Sequence, residues 1–150
     1  MRRAAHLDVP RLMELGAAMH AESRYARFAL SPLKVEAGFR AMIDSKNAIV
    51  LVDGDPVHSM FVGYASAFWW GDELESFDVL LYVSPERRGG MSALRLIRGY
   101  IAAAQSIGVS DIKIGTSTGI DSERTMRFFE RMGFQNMGAG LHFTESRAVH

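Results

Sequence analysis

The 150-residue sequence contains no cysteine. Disulfides, thiolate metal sites and a cysteine nucleophile are therefore excluded. Net charge is also lacking: 17 basic and 17 acidic residues cancel, so no overall positive field draws the chain to nucleic acid or to an anionic membrane. No apolar run approaches the ~20 residues of a membrane span. Met1-Arg2-Arg3 leads into Ala-Ala-His-Leu-Asp rather than the apolar core of a signal peptide. A cytoplasmic protein is the expectation. The five histidines, His6, His20, His58, His142 and His150, include no pair at helical ligand spacing, so no metal is expected. Repeats, low-complexity tracts and linkers are missing too. What remains, 48% hydrophobic and 23% charged residues, is the balance of one globular domain over 1–150.

The patterning predicts a mixed α/β chain. A first strand over Arg2–Ala5 leads to Asp8 as a helix N-cap, with Pro10 in the first turn and Val9, Leu12, Met13, Gly16 and Met19 on one face. A second helix starts at Ser31-Pro32 and turns Val35, Phe39, Met42 and Ile43 inward. Three antiparallel strands follow, Ala48–Val52, Ser59–Trp69 and Glu73–Val83, joined by turns at Asp53-Gly54-Asp55-Pro56 and Gly71-Asp72. A long helix with Ala93, Leu96, Ile97, Tyr100, Ile101 and Ala104 on one side stops at Gly108. A short strand over Ile112–Gly115 comes next. Asp121 or Ser122 then caps a last helix whose apolar face is Thr125, Met126, Phe129 and Met132, ended by Gly133. Two more strands are expected at Phe134–Met137 and Leu141–Phe143. A helix between the strands ending at Val83 and Gly115 implies a parallel pair.

The most informative stretch is Val83-Ser84-Pro85-Glu86-Arg87-Arg88-Gly89-Gly90-Met91-Ser92-Ala93. A strand passes through an arginine- and glycine-rich loop into a helix, so several backbone N–H groups converge at the positive end of a helix dipole. Small side chains let an anion approach the main chain, and Arg87 and Arg88 add full charge. Read from the residues alone, this is either a pyrophosphate cradle or an ordinary strand–turn–helix connection with two solvated arginines. It is neither a P-loop nor a dinucleotide fingerprint, since no Gly-Lys-Ser/Thr and no Gly-x-Gly-x-x-Gly is present.

With these elements in order, the chain resembles the GNAT N-acetyltransferase superfamily. The family's cofactor motif, Val-x-Pro-x-x-Arg-Gly-x-Gly-x-Gly/Ala followed by a Leu-Leu-like pair, is matched by Val83, Pro85, Arg88, Gly89, Ala93, Leu96 and Ile97. Met91 stands where the second glycine is usual, and its side chain must then point away from the phosphates. A second frame, Arg87-x-x-Gly90-x-Ser92, restores a glycine but loses the valine and leucine register. Phe128-Phe129-Glu130-Arg131-Met132-Gly133-Phe134 is similar to the family's Phe-Tyr-x-x-x-Gly-Phe segment, which packs beside pantetheine and thiol. The resemblance implies a GNAT fold: a single mixed, mostly antiparallel sheet with a central parallel splayed strand pair and about four flanking helices. It implies acetyl-CoA as cosubstrate, bound by Leu81, Tyr82 and Val83 along the strand, by Arg87, Arg88, Gly89, Gly90, Met91, Ser92 and Ala93 at the cradle, and by Ser122 and Phe129.

Acetyl transfer needs a neutral amine, and a lysine-like amine is neutral in only about one molecule in 2,000 at pH 7. A carboxylate removes that proton, often through water. Strand parity places Glu73 and Glu75 on the same face as Phe77, Val79, Leu81 and Val83, with Asp78 on the other. Glu75 is the first candidate base and Glu73 the second; solvated acids beside a turn would look the same. Trp69 and Trp70 either line an acceptor pocket or pack on an edge strand. His20 and Glu22 fall where the family often builds its acceptor site. Phe129 replaces a tyrosine whose hydroxyl can protonate the departing thiolate, which leaves Ser122 through water, Tyr82, or direct release of thiolate.

The leading expectation is direct acetyl transfer within a ternary complex to a small-molecule or peptide amine. The alternatives are a non-catalytic acyl-CoA sensor, favoured by Met91 and Phe129, and an acyltransferase using a longer donor or a hydroxyl acceptor. Dimers are frequent in the family, so a homodimer is compatible with the resemblance.

Overall fold

A computed structural model describes residues 1–143. Its strands are β1 (Arg2–Arg3), β2 (Ala48–Gly54), β3 (Val57–Ala67), β4 (Leu74–Val83) and β5 (Val109–Ile112), in the sheet order β1-β2-β3-β4-β5. Neighbours are antiparallel except β4 and β5, which are parallel. The helices are α1 (Val9–Glu22), α2 (Pro32–Asp44), α3 (Ser92–Ser106) and α4 (Ser122–Arg131).

Helices cover both faces of the sheet. Val9, Leu12 and Leu15 of α1 and Phe39 of α2 pack against Val50, Val52, Met60, Val62 and Tyr82 on one face. Leu96, Tyr100 and Ala104 of α3 pack against Ile49, Leu51, Phe61 and Ala65 on the other. This explains why β2 is an unbroken apolar run rather than an alternating one: both of its faces are buried. Burying a side chain such as Leu12 or Leu96 completely contributes about 1.5–3 kcal/mol.

Local chemistry sets most element ends. Ser31 accepts from Lys34 N–H at the start of α2, and Gly108, at φ +84°, stops α3. Asp8 precedes α1, but its carboxylate does not cap it. The carboxylate accepts from Ala5 N–H at 2.8 Å and from Arg2 Nη1 and Nη2, each at 2.7 Å. The first strand is accordingly shorter than expected, because the chain turns at Ala5.

Two expectations are corrected at the other end. β5 lies about three residues earlier than Ile112–Gly115, because Lys113 N–H to Ser76 O, at 2.8 Å, is its last rung with β4. No strand forms at Phe134–Met137 or Leu141–Phe143. There Gly138 takes φ +133° and its N–H turns onto Asn136 Oδ1 at 2.9 Å, a local bond that competes with a ladder. Met137, Leu141 and Phe143 stay exposed. Among the described residues, β5 is therefore an edge, and the parallel pair lies at the side of the sheet rather than its centre.

Candidate active site: a splayed strand edge beside a helix N-terminus

Tyr100 builds the vertex of the site. Its hydroxyl lies 2.8 Å from Ser76 Oγ on β4 and donates to Lys113 O, 3.0 Å away, just past β5. Tyr100 and Ser76 are completely buried, and burial pushes the phenol up to about 12. One residue pair further on, the ladder gives way to a side chain: Gly115 N–H donates to Asp78 Oδ1 at 2.8 Å. Burial raises Asp78, against the pull of that N–H. Beyond Ser76 no described strand pairs with this edge of β4. Ser84 N–H bonds His58 O on β3, so by alternation Leu81 and Val83 turn their own N–H and C=O groups out to the open edge.

The open edge runs straight into the predicted cradle. Pro85–Arg87 forms a single 3₁₀ turn, Gly89 takes φ +83°, and α3 begins at Ser92. The left-handed backbone at Gly89 suits glycine and faces open space. Among the described residues, the N–H groups of Gly89, Gly90, Met91, Ser92, Ala93 and Leu94 have no backbone acceptor, and no side chain caps the helix. Met91 is exposed. Arg87 is exposed as well. Arg88 is not free. Its Nε donates to Val83 O at 3.0 Å, and its Nη2 lies 2.8 Å from Glu22 Oε2 at the end of α1.

Strand parity fails along β4. Leu80 pairs with Val62 and Asp78 with Gly63, leaving Val79 as an extra, bulged residue. Before the bulge the even-numbered residues face α3, as Ser76 does through Tyr100. After it Leu81 packs on the α3 face, while Leu80 and Tyr82 pack on the other. Glu75 therefore shares a face with Leu80 and Tyr82, not with Leu81 and Val83. Asp78, set aside by parity, stands at the vertex. Gly63, opposite the bulge, was the available signal: a glycine inside a strand marks a bulge or a close approach. A Cβ there would come within 2.8 Å of the Tyr100 ring.

The remaining candidates lie apart. Glu75 forms an ion pair with Lys113, whose ammonium is raised chiefly by it. Glu73 is exposed at the β3–β4 turn. Trp69 and Trp70 are 90% and 68% exposed and form an aromatic tip with Phe68, with ring centroids 5.0–5.2 Å apart. Ser122 is half-buried at the start of α4. Phe129, 2% exposed, lies between the Phe128 and Phe134 rings and is covered by protein rather than lining open space. Among the described residues no group of three His, Asp or Glu is placed to hold a metal, and no helix is long and apolar enough to cross a membrane.

No protein-family model matches the chain, and no curated protein matches it. Solved structures do. A transcriptional regulator from Bacillus halodurans superposes with TM-score 0.79 at 17% identity, covering 95% of this chain and 97% of that one. An aminoglycoside antibiotic 6'-N-acetyltransferase from Acinetobacter haemolyticus gives 0.73 at 15%, covering 97% of each chain. An aminoglycoside acetyltransferase from an uncultured soil metagenomic sample, solved with trehalose, gives 0.74 at 14%, covering 97% and 93%.

Proposed function

On the premise of the GNAT fold that these likenesses establish, we propose that the chain is an acetyl-CoA-dependent N-acetyltransferase of the cytoplasm. It moves an acetyl group directly to an amine within a ternary complex. The observation that carries this reading is the continuity of the open β4 edge with the N–H groups from Gly89 to Leu94, which have no backbone acceptor among the described residues. An extended arm can add to the edge as a strand, and a pyrophosphate can end on the helix N-terminus. That shape and that donor set fit coenzyme A.

Acetyl-CoA, when bound, supplies a thioester: the amine nitrogen forms the new bond to its carbonyl carbon, and the carbon–sulfur bond breaks. The residues do the rest. Gly89 to Leu94 and Arg87 hold negative charge through N–H groups and a guanidinium. The outward N–H of Leu81 or Val83 is the oxyanion donor. Glu75, ion-paired with Lys113, takes the amine proton through water. Tyr82, whose phenol is raised by burial and by Glu22, stays protonated at neutral pH and can return a proton to the thiolate; Ser122 is the alternative donor.

A second reading has its own support. Phe129 offers no hydroxyl and Glu75 is engaged by Lys113, which suits a non-catalytic acyl-CoA-binding module. Release of free thiol from acetyl-CoA, measured over a panel of amines, decides between them. Turnover on any amine supports the transferase. Coenzyme A binding with no turnover on every amine supports the module.

A further inference from the structure

The outward carbonyl of Val83, the rung that an added arm would use, is already taken. Arg88 Nε donates to it, and the same guanidinium lies 5.5 Å from the centroid of the Tyr82 ring. Glu22 holds the far end: Nη2 is 2.8 Å from Oε2, and Nη1 meets Oε1. The Tyr82 hydroxyl also donates to Oε2, at 3.2 Å. Arg88 is the main reason the Glu22 carboxyl sits below its ordinary range. Neither partner is deeply buried, with side-chain exposures of 36% and 29%, so the pair can part without stranding a charge away from water.

We propose that Glu22 is a positioning residue that stores Arg88 on the open edge of β4 and thereby opposes coenzyme A. The inference rests on the acetyl-CoA reading above. Two demands meet on one guanidinium. The cradle immediately after it gains from a charge-assisted bond to phosphate, and the arm needs the Val83 carbonyl vacated. Both are met only when Arg88 leaves Glu22. The Glu22 contact therefore counts against binding, although it joins residues that all border the site.

Titration calorimetry with coenzyme A on the full chain tests this. Glu22→Gln should bind about two- to fivefold more tightly than the wild type, the range of a partly exposed ion pair expressed as affinity. Glu22→Asp, which restores the charge, should return toward wild type. In an Arg88→Ala background, Glu22→Gln should change nothing. Simple removal of a negative charge near phosphates would tighten binding with or without Arg88, and the double variant separates the two causes. Unchanged or weaker binding by Glu22→Gln, or an equal gain without Arg88, overturns the latch while the acetyl-CoA reading stands. If neither the wild type nor Glu22→Gln binds coenzyme A, that reading falls and the latch falls with it.

Discussion

Replacing Tyr100 with phenylalanine isolates the hydroxyl that joins β4 to β5. The ring stays, and so does its packing on Phe61, 4.4 Å away between centroids. What goes is the group that bonds both Ser76 Oγ and Lys113 O at the vertex. Ser76 is fully buried, so its hydroxyl is left unpaired where water does not reach. A buried polar group left without a partner costs about 1–3 kcal/mol. With the Lys113 carbonyl partly affected as well, the expected loss is about 2–4 kcal/mol. For a chain of this length each kcal/mol lowers the melting temperature by about 2–4 °C. Urea unfolding followed by circular dichroism at pH 7 measures the loss. Ser76→Ala alone should cost less, and combining it with Tyr100→Phe should cost less than the sum of the two, because they remove the same bond. Alkali adds a signed test. The folded phenol is raised to about 12 from an ordinary value near 10, so the unfolded chain loses its proton first. Wild-type stability should be complete below about pH 10 and fall as pH rises towards 12, and Tyr100→Phe should fall less, keeping only the share that the raised Tyr82 and Lys113 contribute. A Tyr100→Phe protein within about 0.5 kcal/mol of wild type, with the same alkaline profile, would refute the vertex as described.

Asp78→Asn keeps an acceptor for Gly115 N–H and removes a carboxyl that burial raises. A raised carboxyl loses its proton earlier in the unfolded chain, so it makes stability decline as pH rises above about 4; the asparagine variant should be more stable at pH 7, and its gain over the wild type should shrink as pH falls to about 4, read by urea unfolding of both proteins at these two pH values. Glu75→Gln should lower acetyl-transfer turnover by about 10²–10⁴ while leaving coenzyme A affinity unchanged, and wild-type turnover would remove Glu75 from the mechanism. At Gly89 no atom opposes a Cβ, but φ is +83°, so Gly89→Ala should lose about 1–2 kcal/mol from backbone strain alone, and Gly89→Val should abolish coenzyme A binding by calorimetry. Phe129→Tyr places a hydroxyl beside the Phe128 and Phe134 rings; a loss of about 1–3 kcal/mol is expected if it finds no partner, and unchanged stability with faster thiol release would place the ring beside the sulfur.

The local features were legible in the sequence because neighbouring residues decide them. The run from Val83 to Ala93 dictates strand, turn, glycine-permissive loop and helix start, whatever packs around it. The apolar spacing in α1, α2 and α3 likewise shows which side of each helix is buried. The C-terminal segment marks where such reading stops: Phe134 to Phe143 has residues that strands favour, but a strand also needs a partner edge, and Asn136 and Gly138 satisfy the backbone locally instead. Tertiary structure alone decided the site's chemistry. The bulge at Val79 depends on what lies opposite, Gly63 under the Tyr100 ring, and it reverses which β4 side chains share a face. Arg88 meets Glu22 from 66 residues away, and Tyr100 meets Ser76 from 24. Such bonds depend on where the packed helices and strands bring side chains together in space, and spacing along the chain carries no record of that.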